Sequence, residues 1–200
     1  MDDSHQRDHW HSYYEALYDV AIALGQSLEP AAVLRELVRG VVGALGLRAA
    51  AIRLLTVGGL LETVAVEGLS PNYLEKGPVD LAHSPIDREA LHGRPVQVAD
   101  VTVDARFEYP AEARREGIVS AVFVPLFARG EPIGVLRAYT AQRRTFTTGE
   151  LRLLVALANL GALAIANARL YQVCVRDQQM TAEALWSFHL PNELIGRPEK

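Results

Sequence analysis

The 200-residue chain is half hydrophobic and 22% charged, carries a net charge of −4 with a pI near 5.9, and holds one cysteine. That balance fits one globular domain of about 150 residues with added helices, and excludes a disordered or fibrous chain. It leaves no electrostatic footprint for nucleic acid. Cys174 alone cannot build a disulfide framework, and it fits the reducing conditions of the cytoplasm.

The polar start MDDSHQRDHWH is unlike a secretory signal and reads as a flexible N-terminus over 1–11. His5, His9 and His11 stand in an H-x3-H-x-H spacing. The first two would share a helix face, as a divalent-metal site requires. A solvated, frayed end is the simpler reading, and no metal is expected.

From residue 10 onward, Trp10, Tyr14, Leu17, Ala21, Leu24 and Leu28 recur at steps of four and three. That spacing predicts a heptad seam on one helix. Pro30 suits the first turn of a second helix, and Gly46 suits its end. The runs RAAAIRLLTV and LLETVAVEG, split by Gly58-Gly59, predict a β-hairpin. Ser70-Pro71 and Ser84-Pro85 pair a capping residue with proline, which predicts short helices over 71–76 and 85–92. RPVQVAD reads as a short strand and YPAEARREG as another short helix. IVSAVFVPLFA and PIGVLRAYT are two strands joined by a turn at Arg129-Gly130-Glu131-Pro132. Thr147 and Glu150 form a capping box that opens a last helix, running from 148 to about 185.

That helix is apolar almost all round in LANLGALAIANARLYQ, so more than one of its sides needs cover. Its uncharged run, Leu153 to Ala168, is 16 residues, short of the roughly 20 that span a bilayer, and no membrane partner is expected. At ~1.5 Å per residue the helix is close to 60 Å long and must outrun its own domain. Leu170, Val173, Cys174, Met180, Thr181, Ala184, Leu185 and Phe188 give the projecting half an apolar edge. The predicted class is α+β: a mainly antiparallel sheet, long helices on one face, and short helices and loops on the other.

Three stretches, SPIDREALHGRPVQVADVTVDARF, GIVSAVFVPLFARGEPIGVLRAYT and FTTGELRLLVALANLGALAIANARLYQ, resemble GAF domains, the small-ligand sensor modules of signalling proteins. The resemblance covers about residues 12–172. It leaves 173–188 as a projecting dimer or signalling helix and 189–200 as a tail. It implies a profilin-like sheet of five to six strands in the order 2-1-5-4-3, a roofed pocket, and homodimerisation through the first and last helices. Trp10, Tyr14, Leu17, Ala21, Leu24, Leu154, Ala158, Gly161, Ile165 and Ala168 are the expected dimer contacts, with the small residues among them, and Ala162, allowing close approach.

The resemblance also limits the chemistry. Reductases of this fold use two cysteines, and this chain has one, on the projecting helix. The cyclic-nucleotide signature of the family is absent, Cys174 is misplaced for a bilin, and DARFEYPAEARREG offers no histidine for haem. Haem, bilin and cyclic nucleotide are therefore not expected. No catalytic triad, phosphate loop or zinc ligand set is readable, so no enzyme activity is expected. Arg53 interrupts an apolar strand, and Arg137 and Tyr139 alternate in the last one. Tyr73, His83, Ser84, Asp100, Asp104, Phe107 and Tyr109 belong to the roof. These ten are the candidate contacts for an unidentified small molecule. The expectation is a cytoplasmic, non-catalytic sensor that signals through its last helix to a separate kinase or other output domain. The alternative is a dimerisation or protein-interaction module without a ligand.

Overall fold

A computed structural model describes residues 2–27 and 29–188, with side chains over 10–27 and 29–171. Chain order is α1 (Asp2–Gln26), α2 (Pro30–Leu45), β1 (Ala49–Leu55), β2 (Leu60–Glu67), α3 (Pro71–Leu74), β3 (Val79–Asp80), α4 (Pro85–Leu91), β4 (Val96–Val98), α5 (Pro110–Glu116), β5 (Ser120–Ala128), β6 (Glu131–Thr140) and α6 (Thr148–Phe188). Proline opens α2, α3, α4 and α5, where its missing N–H is one the helix would leave unpaired anyway. Gly46 ends α2 in the left-handed region at φ 58°. Arg129 (φ 54°) and Gly130 (φ 85°) both have positive φ, the turn geometry that matches the twist of the β5–β6 hairpin. The capping box at the head of α6 is reciprocal: Thr147 N donates to Glu150 Oε2 at 2.7 Å, and Glu150 N to Thr147 Oγ1 at 3.3 Å.

The strands form one antiparallel sheet in the order β3-β2-β1-β6-β5-β4. The predicted five-strand order holds, with two-residue β3 added at the outer edge of β2. Alternation along the strands divides the apolar residues between two cores. Ala50, Ile52, Val122, Val124, Leu136 and Ala138 face α1, α2 and α6. Ala49, Ala51, Ala121, Phe123, Val135 and Tyr139 face the roof built from α3, α4 and α5.

The cover of α6 comes largely from its own chain. Leu153, Leu154, Leu157, Ala158, Ala162 and Ile165 are buried in the helix-side core. A Cβ on Gly161 would stand 2.8 Å from Leu37 Cδ1, so the small residues admit α2. This corrects the expected dimer face: Leu154, Ala158, Gly161 and Ile165 are enclosed within the protomer. The heptad seam of α1 also divides. Leu17 and Leu24 pack on the helix-side core, whereas Trp10 and Tyr14 are exposed and continue as a stripe through Tyr18 and Ile22. Ala21 is exposed and Ala168 half-buried. Packing against α2 and α6 takes one flank of α1, and steps of four trace the other.

Thr148–Tyr171 is long and apolar enough to cross a membrane by length and composition. Counting only its uncharged run understated its reach. Its buried residues nevertheless pack on α2 and β5, the cover expected of a core helix. Leu28, the side chains of His5, His9, Cys174 and the apolar edge from Val173 onward, and the tail 189–200 lie outside the described residues.

Gly134 crosses β1 so closely that a Cβ there would run into the Arg53 carbonyl oxygen and Leu54. Gly134→Ala is expected to cost about 3 kcal/mol in urea unfolding, at the upper end for overpacking. Gly43, in α2 with open space around it, is expected to behave oppositely: Gly43→Ala should add about 0.5–1 kcal/mol by removing backbone entropy from the unfolded chain.

Candidate functional site

Between the roof face of the sheet, the start of α4 and the 106–109 loop lies a small cavity of about 10 Å³. Its lining includes Lys76, Ser84, Asp87, Phe107, Glu108, Tyr109, Phe123 and Arg137. A larger open trough of about 610 Å³ runs beside the outer edge of β2, lined by Thr63–Val66, Leu74, Pro78 and the charges Arg35 and Glu62. The roof cavity, not the trough, gathers buried charge.

The β-strand period places Arg53 of β1 and Arg137 of β6 on the roof face. Both are almost completely buried. Arg137 Nε and Nη2 donate to Asp87 Oδ1 and Oδ2 at 3.1 and 2.7 Å, a two-point bond from sheet to α4. Ser84, at the head of α4, does not cap that helix; its hydroxyl donates to Asp87 Oδ2 instead. Phe123 lies under the guanidinium, 5.3 Å from ring centroid to Cζ. Burial alone would lower the pKa of Arg137, but Asp87 and Tyr139 together outweigh it and the net shift is upward.

Arg53 has no carboxylate of its own. Its Nη1 donates to the carbonyls of Leu61 (3.1 Å) and Gly77 (3.2 Å), while its Nε is buried without a partner. Burial, then the nearby Arg137, lowers its pKa. Tyr73 stands edge-on to Tyr139, with centroids 6.3 Å apart, and its buried hydroxyl closes no hydrogen bond of normal geometry. Burial and Tyr139 raise its pKa. Lys76 places Nζ 3.4 Å from the Tyr73 ring centroid and 4.9 Å from that of Tyr109. Burial, then Arg137 and Arg53, pull its pKa down to about 7, against the opposing pull of Glu112 and Glu108.

Four of the ten predicted contacts line the cavity: Ser84, Phe107, Tyr109 and Arg137. Arg53, Tyr73 and Tyr139 are buried on the same face of the sheet beside it, outside its lining. The remaining three lie elsewhere. His83 is exposed and pairs with Asp80 at 3.1 Å. Asp100 is taken up by Thr102, whose N and Oγ1 both donate to it. Asp104 is held by Arg106. Each is engaged by a neighbour two or three residues away, so none turns inward. Sequence reasoning missed Lys76, Asp87 and Glu108. An arginine in the middle of an apolar strand was the signal for a buried acid such as Asp87. Lys76, in a short irregular connection, gave no periodic signal. Among the described residues, no group of three or more metal-ligating side chains is present; His11 pairs with Glu15.

The depressed pKa of Lys76 links to stability with a definite sign. Between about pH 7 and its usual value of 10.5, the unfolded chain holds a proton that the folded chain has released, so stability rises with pH. Lys76→Met is expected to remove this contribution. The wild-type minus variant difference in urea unfolding free energy should grow between pH 7 and 10 and level off below 7.

The GAF domain model matches residues 27–166. Among curated proteins no relative matches. Solved structures supply likenesses. The GAF domain from a phosphoenolpyruvate-protein phosphotransferase of Coxiella burnetii aligns at TM-score 0.72 and 20% identity, over 82% of this chain and 98% of that one. A domain from a Sinorhizobium meliloti 1021 protein assigned as a two-component sensor histidine kinase aligns at TM-score 0.59 and 29% identity, over 68% and 90%. The phycoerythrobilin-bound GAF domain from a cyanobacterial phytochrome aligns at TM-score 0.66 and 22% identity, over 80% and 97%. With the matched segment spanning the whole sheet and its roof, the chain belongs to the GAF domain family, sensor and regulatory domains of signalling proteins.

Proposed function

We propose that this GAF domain is a non-catalytic sensor: a small molecule enters beneath the roof, and the change passes to α6 in a homodimer. The observation that carries the reading is the Arg137–Asp87 bond, because it ties roof helix α4 to β6, the strand that leads into α6. Beyond β6, Arg144 holds the Leu45 carbonyl at the end of α2 (2.9 Å) and pairs with Glu150 in the first turn of α6. Between the two sets of bonds the link is the chain itself, from Arg137 in β6 to Arg144 ahead of α6, so a shift of α4 that moves β6 would reach the head of the helix. A path becomes allosteric only when ligand favours one of two arrangements.

The exposed stripe Trp10, Tyr14, Tyr18 and Ile22 on α1, with Leu163, Leu170 and Tyr171 on α6, supports a second copy as the partner, because grouped apolar side chains on a surface mark interfaces. A cytoplasmic setting and a separate kinase or other output domain complete the proposal, with no role for nucleic acid or membrane. No resident haem, bilin or cyclic nucleotide is part of it. Bilin-bound relatives share the fold, but a shared fold does not carry a ligand with it.

A second reading has its own support. The cavity, at about 10 Å³, has room for roughly one water, as expected of a dimerisation module with a filled roof. Backbone amide spectra of the intact chain, titrated with pools of common metabolites, separate the two. The sensor reading expects saturable shifts in 73–77 and 106–109 together with shifts at the head of α6. A roof that stays still for every pool leaves the dimerisation module.

A further inference from the structure

We infer that the open edge of β2 docks an extended peptide segment of a partner protein, basic at its ends, which adds as a strand and seats one large apolar side chain against α6. Docking there is independent of what enters the roof cavity.

β2 is finished on one side only. It pairs with β1 along its length, but β3 covers its other side at Leu60 and Leu61 alone. Among the described residues, no further backbone or side chain hydrogen-bonds the outer side of Glu62–Glu67. In an antiparallel strand, alternate residues send their N–H and C=O groups to opposite sides. Half of this stretch therefore presents unmade backbone bonds to the trough of about 610 Å³. The trough has two walls: Leu74, Gly77 and Pro78 on the roof side, and Arg35 of α2 on the other. An open edge between walls suits strand addition, in which the peptide backbone gives affinity and its alternate side chains give specificity.

The register supplies a place for an anchor. Pairing steps from Ile52↔Ala65 to Arg53↔Thr63, so Val64 is the extra residue of a bulge, a device that re-aims a side chain. Val64 is 39% exposed and lines two spaces, the trough and an adjoining apolar pocket of about 260 Å³ whose lining includes Leu34, Leu54, Ile165 and Ala168. A strand laid in the trough can send one apolar side chain past Val64 into that pocket, in contact with α6. An apolar anchor in a desolvated pocket is where binding energy concentrates.

Charge selects the occupant. Glu62 lines the trough, Glu67 ends the same strand, and Glu75 stands in the chain between the wall residues Leu74 and Gly77. Among the described residues none of the three is in an ion pair. Arg35 is the one cation of the trough lining. This excess of acid favours Lys or Arg at the ends of the peptide. A second copy fits poorly: antiparallel pairing of two such edges over their full length sets Glu62 against Glu67 twice, and like charges directly opposite are destabilising.

The test uses the intact chain and an array of synthetic heptapeptides, read by backbone amide shifts. Each peptide has Val and Thr around a central Leu, Met, Phe or Trp, with either Lys or Glu at both ends. At least one Lys-ended peptide should give saturable shifts at 62–66, 74–78 and 165–169, and should bind about tenfold tighter than its Glu-ended counterpart. N-methylating alternate peptide nitrogens, in the two possible sets, should abolish binding in one set and spare it in the other, because only one side of the peptide meets β2. Val64→Lys, at a position exposed enough to leave the melting temperature unchanged, should abolish binding. Glu62→Lys combined with Glu67→Lys should reverse the preference between end charges. Failure of every Lys-ended peptide to saturate overturns the inference, as do N-methylated sets that behave alike or shifts that fall outside these segments. Concentration-dependent shifts at 62–66 without peptide, lost in Val64→Lys, overturn it equally by making a second copy the occupant.

Discussion

The bidentate bond between Arg137 and Asp87 is the constraint around which the roof is organised. Both side chains are buried, and burying two charges is favourable only when they pair with good geometry and their remaining valences are met. Here they are. Ser84 donates to the carboxylate, Phe123 lies against the guanidinium, and α4 is set against β5 and β6. Removing one partner would strand the other in a dry layer, at a cost of about 3–5 kcal/mol. The pair therefore fixes where α4 sits, and α4 fixes one wall of the cavity. The other side of the roof has its own tie: Glu116 at the end of α5 accepts from Ser70 N and Arg48 Nη2, joining α5 to the head of α3 and to the start of β1.

Between these two ties sits a part of the roof that is under-satisfied. Arg53 leans on two carbonyls, and Lys76 on aromatic faces. A protein built only to stay folded would place apolar residues or a paired acid there, since buried unpaired donors oppose folding. The helix-side core shows no such tension. It is filled by aliphatic side chains from α2, α6 and the sheet, and it carries the stability that lets the roof side remain incomplete.

Much of this was legible in the sequence because local signals and burial agree. Proline at helix starts, the Thr147–Glu150 box and the alternation in β5 and β6 all predict elements that form. Arg53 and Arg137 stood out because charge in an apolar strand needs a reason. What was lost is what local signals cannot carry. Asp87 reads as an ordinary acid in the first turn of a helix, where the dipole favours one, and only the fold brings Arg137 to it across 50 residues of sequence. Lys76 sits in a connection with no period. His83, Asp100 and Asp104 were drawn inward by analogy with the roof, yet short-range partners held them at the surface. The apolar girth of α6 suggested a twin, when α2 already covers the small-residue face at Gly161.

Native-state hydrogen exchange of the α4 amides tests the central claim most directly, compared between wild type and Asp87→Asn. If the buried pair is what holds roof to sheet, α4 in the wild type is protected to nearly the level of β5 and β6. In the variant its protection should fall well below theirs while the strands keep their slow exchange. Loss of protection spread equally over α4, β5 and β6 would mean that the pair supports the whole domain rather than the roof. Unchanged protection of α4 would mean that apolar packing alone holds it, and the proposed route from cavity to α6 would have no anchor.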